Sequence, residues 1–137
     1  MKHIFIGCVL EQGMFQKTLA VAAVTGIIFL VPVLVYGVFE RLGLAEIPGG
    51  SPASFLAGVL VSKIGTAIAF VMFFSLTRSE IGQNWLLYAL IWWVMYVFGE
   101  IGQAMGPDYP LSEAVAGIIP EAIYFPLSAY LIYRMMG

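Results

Sequence analysis

Four apolar stretches follow one another along almost the whole chain, over 18–39, 55–76, 84–105 and 112–134. Each is about twenty residues long, enough for a helix to cross the ~30 Å hydrocarbon core of a bilayer. In lipid the backbone must satisfy its own hydrogen bonds, which leaves helices and closed barrels as spanning structures. Stretches of this length predict helices, and so an all-α, polytopic bundle of four transmembrane segments. Composition agrees, since of 137 residues 61% are hydrophobic and 10% charged, with a mean hydropathy of +0.97. Soluble domains are roughly 45–50% apolar and about 25% charged. This chain has too little polar surface to cover a globule in water, so its expected surroundings are the lipid bilayer. A net charge of −2 offers no basic face, and nucleic acid is not expected as a partner.

The connections ERLGLAEIPGGSPAS, TRSEIGQ and GPDYPL are too short to hold a soluble domain. Residues 18–137 therefore read as one four-helix domain, preceded by an interfacial or membrane-embedded extension over 1–17. Pro48, Gly49, Gly50 and Pro52 supply turn dihedrals and stop helical continuation in the first connection. Ser54, Asn84 and Ser112 stand where the second, third and fourth helices need N-caps. No internal repeat relates the four spans.

Positive residues near span ends are retained on the cytoplasmic side. Lys2, Lys17, Arg78 and Arg134 share one side, and Arg41 stands alone on the other among Glu40, Glu46, Asp108 and Glu113. An integral, multi-pass location with both termini in the cytoplasm is expected. Trp85, Tyr88, Tyr130 and Tyr133 then fall near the inner face, and Tyr36 and Tyr109 near the outer, as interfacial belts do.

Several chemistries are excluded or unsupported. IFIGCVL is too short for a secretory leader and no A-x-A-like site follows it, so no signal peptide is expected. A single cysteine, Cys8, permits neither an internal disulfide nor a thiol pair, and it reads as a small buried hydrophobe. His3 is the sole histidine, which rules out a bis-histidine haem within one chain. No zinc-spaced ligand set, phosphate loop or nucleophile elbow is present, and no metal or cofactor is expected.

What remains is charge inside the spans. Lys63, Glu100 and Glu121 all lie well within predicted helices, where each charge costs ~2.5–3.5 kcal/mol at the bilayer centre. A rise of ~1.5 Å per residue puts Lys63 ~12 Å, Glu121 ~13 Å and Glu100 ~8 Å below the outer boundary. The three are expected to meet in one layer. Helical periodicity places Glu113, Gly117, Glu121, Tyr124 and Ser128 on one face of the fourth span, and Tyr96, Glu100 and Gln103 on one face of the third. Lys63 sits beside Ser62 and Thr66, next to a small-residue stripe of Gly58, Ser62, Gly65 and Ala69 that lets helices approach closely in lipid. One lysine neutralises one carboxylate. The second glutamate must be protonated, paired across a subunit or matched by a cation. The structural reading of the same residues is polar glue, with Glu121 neutralised by Lys63.

The stretch IIPEAIYFP sets Glu121 between Pro120 and Pro126. Each proline removes an N–H and clashes with the carbonyl four residues back, so the fourth helix is expected to be kinked or broken around Glu121. Freed carbonyls at that depth need partners, and a carboxylate beside them suits a proton or cation. Pro32 is expected to kink the first helix only.

No family is recognised in these residues; in size and span count alone the chain resembles small four-span carriers and channels that work as homodimers. Three classes of function stand. A proton- or cation-linked transporter or channel accounts for Glu121, Glu100 and Lys63 as coupling residues, supported by Tyr124, Gln103, Ser62, Thr66 and Glu113. A non-catalytic subunit or assembly factor, working as a homo-oligomer or beside a partner membrane subunit, accounts for the small-residue stripes. A lipid-modifying enzyme is supported least, because no nucleophile–base pair or metal set anchors it.

Overall fold

The computed structural model describes residues 2–43, 52–81 and 83–136, with side chains described from residue 13 onward apart from those of 52 and 55. The described residues form four α-helices: α1 Lys2–Arg41, α2 Pro52–Ile81, α3 Trp85–Ala104 and α4 Leu111–Met136. All four contain segments long and apolar enough to cross a membrane, with α1 contributing Gly13–Arg41. No strand occurs among the described residues. Helix α1 continues without interruption from Lys2 through the extension, whose side chains up to residue 12 lie outside the described ones, Cys8 and His3 among them.

The helix ends follow from local chemistry. Gly43, at φ +68°, closes α1 in the left-handed conformation that glycine adopts without a Cβ penalty. The turn residues Pro48 to Gly50 lie outside the described residues. Asn84 caps α3 as its sequence position suggests, its side-chain oxygen accepting the Leu87 N–H at 3.3 Å. The other two expected caps are corrected. Helix α2 begins at Pro52, so Ser54 lies inside its first turn. Helix α4 begins at Leu111, where the Pro110 carbonyl accepts from Glu113 at 3.0 Å and Ala114 at 3.3 Å, and Ser112 is already helical.

Helix α4 occupies the middle of the bundle, flanked by α1 on one side and α3 on the other. Its buried residues include Ala114, Ala116, Gly117, Glu121, Tyr124, Phe125, Ser128, Ala129 and Ile132, a wide face that only a helix with two neighbours can cover. The match on α1 is Ala20, Val24 and Ile28, four residues apart and fully enclosed. Helix α2 leans on α1 and meets α3 and α4 at few positions. Aromatic side chains hold that gap open. Phe70 of α2 stacks on Phe125 of α4 at 5.6 Å and meets Tyr88 and Trp92 of α3 at 4.9 and 5.3 Å. The Tyr88 hydroxyl donates to the Phe70 carbonyl, which ties the wedge to the α2 backbone.

Of the kink or break expected in α4, the break does not occur. The backbone runs as one α-helix from Leu111 to Met136 through Pro120 and Pro126, and α1 likewise runs through Pro32. A proline removes a single hydrogen bond from the ladder, and the packing of α1 and α3 against both flanks of α4 holds the remaining turns in register. The outside of the bundle is apolar. Leu34, Leu76, Phe98 and Met105 are among its most exposed side chains.

Candidate functional site

The charged residues of three helices come together at the end of the bundle where α3 gives way to α4. Glu100 stands one turn before the end of α3, and its carboxyl lies directly over Gly117 of α4. A Cβ at residue 117 would fall 2.9 Å from both Cδ and Oε1 of Glu100. Glycine is therefore the seat of the carboxylate, a close approach that no other residue permits without moving it. The Tyr109 hydroxyl closes the other side, donating to Glu100 Oε2 at 2.7 Å. Burial first, and then the bond to the Glu100 carboxylate, push the Tyr109 phenol above its ordinary range, so it remains a donor.

Glu121 follows Gly117 by one helical turn and so shares its face. Only 4% of it is exposed, and its Oε2 has no hydrogen-bond partner among the described residues. A buried carboxylate oxygen left unpaired is costly, and a proton, a water molecule or a cation would each relieve it. Tyr124, three residues on, is fully enclosed beside it.

Lys63 reaches the cluster from α2. Its ammonium donates to the Tyr124 hydroxyl at 3.3 Å, lying 5.1 Å from the Tyr124 ring centroid and 6.0 Å from that of Tyr96. Among the described residues it makes no direct ion pair with Glu121 or Glu100, so the expected pairing is replaced by a bond through tyrosine, within electrostatic reach of both carboxylates. A hydroxyl has one proton. With its oxygen accepting from Lys63, Tyr124 keeps that proton for the Glu121 carboxyl beside it. The same count orders the next pair: Thr66 bonds both the Ser62 carbonyl at 3.2 Å and the Tyr96 hydroxyl at 2.8 Å. If Thr66 donates to the carbonyl, Tyr96 donates to Thr66, which leaves the Tyr96 ring fixed beside the ammonium.

Not every sequence candidate joins in. Gln103 is exposed and contributes its backbone carbonyl to the end of α3, where it accepts from Gly106 at 2.9 Å. Ser62 is exposed on the groove side of Lys63. Glu113 is half-buried and acts at a distance on Tyr36 and Tyr109. Two participants carry the sequence signature of belt residues alone: Tyr109, and Tyr36 of α1, which lies within electrostatic reach of Glu100, Glu113 and Glu121. For Tyr109 the usable signal is the shortness of GPDYPL. A loop that brief holds its tyrosine within reach of a glutamate one turn from the helix end. Among the described residues no three His, Cys, Asp or Glu side chains converge as a metal-binding set.

No known protein family matches this sequence, and neither curated proteins nor solved structures show a significant relative. One ammonium faces two carboxylates, and the more deeply enclosed of these has an oxygen with no described group bound to it.

Proposed function

We propose that this chain is an integral membrane protein with both termini in the cytoplasm, and that it moves protons or small cations by loading and unloading Glu121. The observation that carries the reading is the unpartnered Oε2 of a glutamate that is 4% exposed. A carboxylate there is stable only when a proton or cation compensates it, and it shares its surroundings with Glu100, so one added positive charge balances the site. Membrane embedding is supported by the apolar exterior and by the four helices of spanning length. Purified protein in proteoliposomes, with a pH-sensitive dye inside, tests the reading. Glu121→Gln should abolish proton or cation flux while leaving the folded state intact. Glu121→Asp should keep part of it with a shifted pH optimum, because the carboxyl persists at shorter reach. Undiminished flux in Glu121→Gln would sink the proposal.

A non-catalytic membrane subunit or assembly factor is the second reading. It draws on Gly58 and Gly65, which, like Gly26, Gly37, Gly99 and Gly102, have no described atom within 4 Å of the place a Cβ would take. Glycine costs a helix interior roughly 1 kcal/mol against alanine, and no described neighbour within the chain repays it at these positions. A close-packed neighbour would. The same preparation separates the readings, since a subunit would show no flux and would co-purify with a partner.

A further inference from the structure

Lys63 shows what the cluster recognises. Its Nζ is a primary ammonium held between the rings of Tyr96 and Tyr124 and the Tyr124 hydroxyl, with the unpaired Oε2 of Glu121 nearby. Aromatic faces attract ammonium groups through their quadrupole, more so when water is excluded. The ring faces and the carboxylate would also attract a methylated ammonium, which needs no hydrogen-bond acceptor.

We propose that the cluster is a binding site for a small methylated ammonium cation, and that Lys63 is its tethered occupant, displaced when the ligand enters. Two carboxylates against one lysine supply attraction for a second cation. An open groove of about 420 Å³ along α2, lined among the described residues by Ser54, Gly58, Val59, Ser62 and Lys63 itself, gives the displaced side chain somewhere to go. The glycine at 58 keeps that path clear, with no described atom within 4 Å of its missing Cβ. Lysine has four methylenes and swings without moving its helix. This inference rests on Glu121 as the loading residue and names what is loaded. A bare sodium ion gains less from the tyrosine rings, because it holds its water more tightly than a methylated ammonium does.

The test uses the full chain in detergent, titrated with tetramethylammonium and followed by intrinsic fluorescence, with sodium as comparator. Saturable quenching is expected, tighter than with sodium and absent in Glu121→Gln. Lys63→Met removes the competing charge at nearly constant length and should tighten binding by on the order of tenfold. Should that variant not fold, the wild-type protein still decides the matter. Tetramethylammonium should raise the reactivity of Lys63 towards an amine-modifying reagent, read by mass spectrometry, as the side chain leaves the cage. Unchanged Lys63 reactivity at saturating tetramethylammonium, or equal affinity in wild type and folded Lys63→Met, overturns the proposal. If Glu121-dependent flux persists while these ammonium effects are missing, the ligand is wrong and the loading residue stands. If the ammonium effects appear while Glu121→Gln retains flux, the transport reading falls instead.

Discussion

At the scale of single residues, Gly117 and Tyr109 fix where the Glu100 charge sits. The glycine leaves room for the carboxyl, and the tyrosine holds it from the loop side at 2.7 Å. A methyl at 117 meets only the far end of a flexible side chain, so Gly117→Ala should displace the carboxyl rather than break the helix contact. Alanine also favours the helix by roughly 1 kcal/mol, which offsets much of the disturbance. The net change in stability is therefore expected to be small, and the loss should surface in coupling instead. Tyr109→Phe should cost about 1–2 kcal/mol in the wild-type background and close to nothing once Gly117→Ala has moved the acceptor. Additive effects in that double-mutant cycle would separate the two residues. The pH dependence has a definite sign. A phenol raised above the ordinary 10.0 contributes its full stabilisation below that value and loses it only as pH climbs through the raised one. The cost of Tyr109→Phe should accordingly be constant from about pH 6 to 9 in chemical or thermal unfolding.

At the scale of elements, what is legible in the sequence depends on how local its cause is. The helices and their number follow from apolar length, and the α3 cap follows from one asparagine; both are visible in a short window. The buried stripe of α4, Gly117, Glu121, Tyr124 and Ser128, also follows from helical periodicity alone. The continuity of α4 does not, because it depends on neighbours. Two prolines argue locally for a kink or a break, and with packing on both flanks the helix stays unbroken. Lys63 likewise binds tyrosine rather than glutamate, and which of the two it reaches depends on the spacing between α2 and α4, which no periodicity encodes. Helix continuity makes Pro126 testable. It is half-buried, and Pro126→Ala restores an N–H to a ladder that is already helical on both sides. Thermal unfolding should show equal or greater stability, by up to about 3 kcal/mol. A marked loss would mean that the bundle is packed around a bend set by the proline ring.

At the scale of the whole molecule, the position of the cluster decides from which side it is reached. Glu100 lies near the end of α3, Gly117 near the start of α4 and Lys63 in the first half of α2, so all share the end of the bundle that carries Tyr109 and the C-terminus of α1. Arg78 and Arg134 stand at the opposite ends of α2 and α4, on the side from which α1 enters. Positive residues mark the cytoplasmic side, which would place the cluster in the outer half of the membrane and open it outward. Single cysteines in a Cys8→Ser background test this. Gly50→Cys and Asp108→Cys should react with an impermeant thiol reagent in intact cells, and Glu80→Cys only after permeabilisation. Glu80 and Asp108 are exposed, so those two substitutions leave the core untouched. Labelling of residue 80 from outside would invert the molecule, and with it the direction of the loading proposed for Glu121. The geometry of the cluster would survive that result unchanged, but the proposed ligand would then have to arrive from the cytoplasm.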